Sequence, residues 1–159
     1  MITIIQRVTQ SSVTVNHKII GEIGRGIMAL VAVEKDDTEH EADRLLERVL
    51  NYRIFADEND RMNLSLRDTH GDLLLIPQFT LAADTEKGNR PSFTSAAPPE
   101  QGKKLFQYLT EKAKSHYHTV ACGEFGADMK VALINDGPVT FTLRARPTHP
   151  HHRHHKVEL

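Results

Sequence analysis

The sequence predicts an α+β fold, with several β-strands in the core and two main helices packed on them. Two apolar runs, residues 27–33 and 73–76, have the length and composition of buried strands. Thr38 and Glu41 have the spacing of a capping box, and Pro98-Pro99 begins a second helical pattern. The 159 residues are enough for one domain with a substantial hydrophobic core.

The other elements follow from apolar periodicity and turn residues. We expect the first strands to surround a turn at Asn16-His17, and the chain to break again at Gly24-Arg25-Gly26. The first helix ends near Asn51, because its apolar residues recur on one face up to that point. The predicted strands are 2–8, 12–15, 19–23, 27–33, 53–55, 72–80, 120–122, 129–134 and 139–143, and the second helix is 98–116.

Two features of the second half of the chain depart from regular patterns. Pro77 lies inside the strand predicted for residues 72–80, where proline cannot donate to a ladder, so we expect a local edge or a bulge. Residues 82–97 have few apolar side chains and no periodicity. That length predicts a functional loop, which we expect Phe93 to pin.

Composition and charge exclude several classes of protein. The net charge of −1 argues against a protein that coats nucleic acid nonspecifically, and no apolar run is long enough to span a membrane. The N-terminus lacks a signal-peptide pattern, and the single Cys122 is expected to be a small buried hydrophobe, so we predict a cytoplasmic protein. Acids dominate residues 34–47 and bases dominate 87–114, which indicates either a local positive field or two ordinary solvated helix faces.

The C-terminal segment differs from the rest. We divide the chain into a single domain, 1–145, and a histidine-rich tail, 146–159, which we expect to be disordered. Five of the ten histidines lie in this tail and could capture Zn²⁺ or Ni²⁺. Their spacing matches no structural zinc site, so we predict no metal site, and we predict no cofactor.

The sequence contains none of the common catalytic motifs. It has no Gly-x-Ser-x-Gly, no His-Glu-x-x-His, no Cys-x-x-Cys and no phosphate-binding glycine loop. What remains is Thr80, at the end of the second apolar strand. Threonine suits a strand for structural reasons alone. Alternatively, its hydroxyl or the backbone amides around it could face a substrate carbonyl as an oxyanion hole.

A Gly-Pro pair, Gly137-Pro138, interrupts the last β pattern. Glycine lets a backbone approach another group closely, and proline removes a donor and tolerates a cis peptide bond. The pair is usually only a turn. It could also present carbonyl oxygens to a ligand without any side chain in the way.

Two motifs together carry a resemblance to a known family. Residues 77–81 read Pro-Gln-Phe-Thr-Leu, and residues 135–140 read Asn-Asp-Gly-Pro-Val-Thr. They resemble the Ser-Gln-x-Thr-Leu and Asn-x-Gly-Pro-x-Thr motifs of the D-aminoacyl-tRNA deacylases, also called D-tyrosyl-tRNA deacylases. Shorter similarities extend the resemblance over about residues 1–145; they lie at 5–8, 33–37, 52–55, 90–93 and 126–129.

The resemblance implies an editing esterase that forms a homodimer, with mixed and antiparallel sheets in a barrel-like core. Its substrates would be D-aminoacyl-tRNA and mischarged glycyl-tRNA, and a Gly-cisPro turn from the partner subunit would reject L-aminoacyl-tRNA. The expected partners are therefore tRNA and a second copy, with no DNA and no membrane. The expected catalytic residues are Thr80, Phe79 and Leu81, and the expected substrate-binding residues are Gln78, Gly137, Pro138, Arg7 and Met129.

Two mechanisms and two other functions stay open at this point. Amides near Phe79 could stabilise the oxyanion while the substrate's ribose 2′-hydroxyl activates water, or Thr80 could be a covalent nucleophile. The family has serine where this chain has Pro77, which motivates a catalytically impaired dimer that binds tRNA or a nucleotide. A third hypothesis is an interaction protein that uses its dimer surface and its tail.

Overall fold

One mixed β-sheet and two long helices make up the fold. The structure, a computed structural model, describes residues 1–147; the histidine tail beyond Pro147, and the expectations about it, lie outside the described residues. The elements are β1 (Ile2–Val15), β2 (Lys18–Ile23), β3 (Gly26–Ala32), α1 (Glu39–Asn51), β4 (Phe55–Ala56), β5 (Met62–Leu64), α2 (Leu66–Thr69), β6 (Asp72–Pro77), a 3-10 turn (Phe79–Ala82), α3 (Pro99–His116), β7 (Val120–Cys122) and β8 (Lys130–Arg144).

The long strand β1 organises the sheet. The order is β2-β1-β3-β6-β7, and β8 pairs with β1. β1 is antiparallel to β3 along its first half, to β2 along its second half, and to β8 along most of its length. β3, β6 and β7 run parallel. β2 also approaches β7, since a Cβ on Gly21 would lie 3.1 Å from the carbonyl oxygen of Cys122, and the sheet nearly closes into a barrel. The predicted α+β class and barrel-like core are confirmed.

Both long helices bury an apolar face against the sheet. Helix α1 begins at the predicted capping box, in which the Thr38 hydroxyl accepts from a backbone amide and the Glu41 carboxylate accepts from the Thr38 amide. Helix α3 begins at Pro99, as expected for proline in a first turn. Their leucines join the main core cluster, where each fully buried side chain contributes about 1.5–3 kcal/mol. Within residues 1–147, no helix is long and apolar enough to cross a membrane.

Several predicted boundaries were wrong. The strand predicted for 72–80 ends at Pro77, and the following residues form the 3-10 turn. The strands predicted separately at 2–8 and 12–15 are one strand, β1, and those predicted at 129–134 and 139–143 are one strand, β8. Because β1 and β8 pair along most of their length, each continues through the stretch that was expected to interrupt it. Helix α2 was missed, although Ser65 and Asp68 form a capping box that the sequence spacing could have indicated.

Candidate active site

The end of β6 is where the first motif turns away from the sheet. The Gln78 amide donates to the carbonyl oxygen of Val31 at 2.8 Å, which extends the parallel ladder by one bond beyond Pro77. Since successive amides of a strand point in opposite directions, the Pro77 nitrogen faces β7, which has already ended at Cys122. The last bond between the two strands runs from the Gly123 amide to the Leu75 carbonyl, so proline occupies a local edge, the first of the two expected alternatives.

The 3-10 turn after β6 exposes two backbone donors. Its internal bonds run from the Leu81 amide to the Gln78 carbonyl and from the Ala83 amide to the Thr80 carbonyl, both at 3.1 Å. Among residues 1–147, the amides of Phe79 and Thr80 have no acceptor. Both residues are exposed, so these two adjacent donors face solvent at the end of the strand.

The side chains of the turn divide into a polar and an apolar set. The Gln78 side-chain amide donates to the Thr80 hydroxyl, which ties these two side chains together above the turn. Leu81 packs with a small apolar cluster of Ile2, Ala32 and Ala82 and so fastens the turn to the sheet. Of the three residues predicted as catalytic, Phe79 and Thr80 thus present free amides, whereas the Leu81 amide is already bonded within the turn.

A narrow apolar cleft lies beside the exposed amides. Phe79 forms one wall, with 60% of its surface exposed, although a large apolar side chain is normally buried. Sequence reasoning missed Phe125, Phe106 and Gly102, which complete the cleft. Phe125 comes directly before residues 126–129, which carried part of the family resemblance. The ring of Phe125 packs closely on Gly102, since a Cβ on Gly102 would lie 3.1 Å from that ring. The full lining is Val31, Ala32, Val33, Pro77, Phe79, Ala97, Gly102, Phe106 and Phe125.

Met129 lies near the same end of β6. A Cβ on Gly123 would meet the Met129 sulfur at 2.8 Å and the ring of Pro77 at 3.2 Å, so the thioether and the proline ring share the space above Gly123. Met129 is half-buried and packs against the second core cluster. The structure therefore places this predicted binding residue beside the first motif.

The second motif forms a corner that projects from β8. Gln6 pairs with Thr140 and Val8 pairs with Asn135, so the four residues 136–139 bulge out opposite Arg7 alone. The peptide bond between Gly137 and Pro138 is cis, as the resemblance implied. What was predicted as a turn between two strands is thus a bulge within one strand.

Arg7 holds this corner from beneath. Its Nε donates to the carbonyl oxygen of Asp136 at 2.9 Å, and its Nη1 donates to the carbonyl oxygen of Ile54 at 2.8 Å. The Arg7 side chain is 16% exposed, and its Nε lies 3.8 Å from a carboxylate oxygen of Asp136. One planar cation therefore connects the corner to the segment before β4.

Polar contacts within the corner complete its support. The side-chain oxygen of Asn135 accepts from the Val139 amide at 2.7 Å, and its amide donates to the Thr140 hydroxyl at 3.0 Å. Gly137 has φ of +141°, and a Cβ at this position would lie 2.6 Å from a methyl group of Val139. Only glycine fits there without strain.

Within one chain, the two motifs are far apart. Pro77, Val31, Thr3 and Leu143 form one row across the sheet, whereas the corner lies at the level of Arg7. Along β1 this offset is roughly 13 Å, and the three strand spacings from β6 to β8 add roughly 14 Å across the sheet. The corner of a chain therefore does not reach the free amides of the same chain.

Other reactive groups do not form a second centre. Among residues 1–147, no group of three or more His, Cys, Asp or Glu side chains is arranged to hold a metal ion. Burial raises the pKa of the Cys122 thiol, which keeps it protonated at neutral pH and unsuited to nucleophilic attack.

Comparison with known proteins agrees with this geometry. The family model described as D-Tyr-tRNA(Tyr) deacylase matches residues 4–144. D-aminoacyl-tRNA deacylases from Pseudoalteromonas translucida and Nitrosococcus oceani are 59% and 57% identical to the chain. The first alignment covers 88% of this chain and 97% of the relative, and the second covers 92% and 95%.

Two solved structures share the fold. The c-Myc DNA Unwinding Element Binding Protein superposes with a TM-score of 0.88 at 37% identity, over 92% of this chain and all of that one. A probable eukaryotic D-amino acid tRNA deacylase has a TM-score of 0.75 at 17% identity, over 89% of this chain and 97% of that one, and this likeness concerns the fold alone.

An α+β barrel that carries exposed amides at the end of one strand and a Gly-cisPro corner on another is the architecture expected from the paired motifs. The chain belongs to the D-Tyr-tRNA(Tyr) deacylase family. This membership confirms the resemblance and the expected class of enzyme, a deacylase that hydrolyses an ester bond.

Proposed function

We propose that this protein is a cytoplasmic homodimer that hydrolyses the ester between a D-amino acid and the terminal adenosine of tRNA. The observation that carries the proposal is the pair of free amides at Phe79 and Thr80 beside the apolar cleft. Two fixed donors can stabilise the negative charge that develops on the ester carbonyl oxygen, and removal of one such donor typically costs about 10²–10³-fold in rate.

The exposed ring of Phe79 suits the adenine of the substrate. The cleft behind this ring has a volume of about 20 Å³, which is too small for a base, so the adenine stacks on the solvent-facing side of Phe79 at the cleft mouth, a contact worth about 1–3 kcal/mol. Gln78 seats the ribose end, because its side-chain amide is bonded to the Thr80 hydroxyl on the turn that carries the free amides. The ester then lies over the two amides, and Leu81 holds the turn to the sheet.

Water, activated by the substrate's own 2′-hydroxyl, is the proposed nucleophile. A covalent role for Thr80 would need a neighbouring base, but its hydroxyl accepts a hydrogen bond from the Gln78 amide, which is a donor and cannot take a proton. Activation of water by the ribose 2′-hydroxyl does not require a basic side chain of the protein.

A second copy supplies the chirality filter in this proposal. The corner cannot reach the amides of its own chain, whereas strand β8, which pairs with β1 alone among the described strands, leaves one edge free for a partner. β8 also exposes Val131, Ile134 and Phe141, as a strand that contacts another subunit would. Carbonyl oxygens of the partner's Gly137 and Pro138 would bind the substrate ammonium and leave no room for an L side chain, and glycine would pass this filter.

The proposal is tested by single-turnover deacylation of D-tyrosyl-tRNA, L-tyrosyl-tRNA and glycyl-tRNA. We expect D-tyrosyl-tRNA and glycyl-tRNA to be cleaved and the L-ester to survive; equal cleavage of D- and L-esters would refute the filter. Thr80→Ala should retain turnover within about tenfold, with Thr110→Ala on α3 as the matched control, whereas a loss of several orders of magnitude would indicate covalent catalysis. A substrate that ends in 2′-deoxyadenosine should be cleaved far more slowly.

The proline at position 77, where the family has serine, motivates one alternative, a dimer that binds tRNA without cleaving it. Tight binding of D-tyrosyl-tRNA with no loss of the ester would select this alternative. The local edge at Pro77 supports an active enzyme instead, because a proline at this position disturbs neither the pairing of β6 with β3 nor the free amides that follow.

A further inference from the structure

Residues 84–92 form a closed arm next to the apolar cleft. Asp84 and Ser92 exchange both backbone hydrogen bonds, at 2.7 and 2.9 Å, and thereby close the loop at its base. All residues between them are exposed, and Gly88 turns the tip with φ of +68°. The tip can extend at most roughly 13 Å beyond the closing pair, given four residues in each leg.

The base of the arm is fastened to the candidate site. The ring of Phe93 contacts the ring of Phe79 with centroids 5.3 Å apart, so the arm begins at the wall of the cleft. On the other side, the Ala97 amide donates to Val33 and the Lys35 amide donates to Ser95, both at 3.1 Å. The base of the arm is therefore held at the cleft mouth, and Phe93 pins it there as expected from the sequence.

The arm carries cations that the rest of the described chain does not neutralise. Lys87 and Arg90 form no ion pair and no side-chain hydrogen bond with any residue of 1–147. The arm also carries two exposed acids, Asp84 at its base, whose carboxylate accepts from the Glu86 amide, and Glu86 near the tip. The arm is therefore neutral overall, and its two cations lie next to the tip and on the returning leg, where they can contact an anion.

The chain as a whole has a net charge of −1, so a polyanion gains nothing from its overall charge. Affinity for tRNA must come from local groups near the site. We infer that the 84–92 arm binds the phosphates of the single-stranded 3′ end of tRNA through Lys87 and Arg90. This inference rests on the proposed function, because the occupant is identified by its continuity with the adenosine stacked on Phe79 at the cleft mouth.

Charge-neutralised variants test the arm against two substrates, D-tyrosyl-tRNA and D-tyrosyl-adenosine, which lacks the preceding phosphates. The variants are Lys87→Gln with Arg90→Gln, Glu86→Gln, and Lys18→Gln as a control at the distant β1–β2 turn. Counterion release predicts about a fivefold loss per phosphate contact at 0.1 M salt. We therefore expect the KM of the double variant for tRNA to rise about 25-fold, with kcat unchanged.

Salt dependence and the opposite-sign variant separate charge from structure. The slope of log kcat/KM against log salt should become shallower by about 1.4 in the double variant, while Glu86→Gln lowers the KM for tRNA. D-tyrosyl-adenosine should be cleaved equally by all variants. An equal loss on both substrates, or a tRNA KM like that of Lys18→Gln, would overturn the inference. If the wild type cleaves neither substrate, the proposed function fails, and binding of uncharged tRNA to the same variants decides about the arm.

Discussion

Replacing Arg7 by lysine tests whether a single guanidinium holds the Gly-Pro corner. Arg7 donates to two carbonyl oxygens in different elements, Asp136 and Ile54, and 16% of the side chain is exposed. Lysine keeps the charge but has one compact ammonium, which cannot serve both acceptors in this geometry. At least one charge-assisted hydrogen bond is lost, which corresponds to about 1.5–3 kcal/mol. We expect the free energy of unfolding to fall by about 2 kcal/mol.

The assay is denaturant unfolding at fixed protein concentration, combined with the ratio of D- to L-tyrosyl-tRNA cleavage. In Arg7→Lys the ratio should fall more than the rate on D-tyrosyl-tRNA, because the corner loosens while the amides of the 3-10 turn stay in place. Arg25→Lys is the matched control, since the Arg25 guanidinium has no partner within residues 1–147 and should change stability by less than about 0.5 kcal/mol. An Arg7→Lys protein with unchanged stability and an unchanged ratio would refute the reasoning.

Three further predictions follow from the same structure. Gly137→Ala should lose about 1–3 kcal/mol of stability, because residue 137 has φ of +141° and an added Cβ would lie 2.6 Å from a methyl group of Val139. The variant should also lose chiral discrimination, which is measured as cleavage of L-tyrosyl-tRNA. Burial raises the pKa of Tyr117 to about 12, so the folded state keeps a proton that the unfolded state loses near pH 10. Stability should therefore fall by about 2–3 kcal/mol as the pH rises from 10 to 12, and the difference between wild type and Tyr117→Phe in denaturant unfolding isolates this loss. Pro77→Ser should change the free energy of unfolding by less than about 1 kcal/mol and leave deacylation intact, whereas an inactive or unfolded variant would show that proline does more than occupy an edge.

Predictions from sequence succeeded where the structure depends on a few neighbouring residues. The capping box at Thr38 and the proline at Pro99 place the starts of both helices correctly, because each acts on the first turn of its own helix. The two motifs were also identified from residue order, and the structure sets Phe79 and Thr80 on one turn and Gly137 on the corner.

Predictions failed where distant segments decide the conformation. The strand predicted through residue 80 ends at Pro77, because the neighbouring β7 has ended there and the chain turns instead of pairing further. The cleft beside Phe79 needs Phe125 and Phe106, which reach it from elements far along the chain. Their side chains alone do not distinguish a cleft wall from ordinary core.

The amino-acid sequence by itself determined the helix starts, the buried strands, the two motifs and the family, since these depend on local propensity and residue order. Only the tertiary structure decided that the amides of Phe79 and Thr80 stay free and that Arg7 supports the corner. It also decided that the two motifs of one chain lie too far apart to meet. The physical reason is that strand register, which no single segment encodes, sets which residues share a row across the sheet.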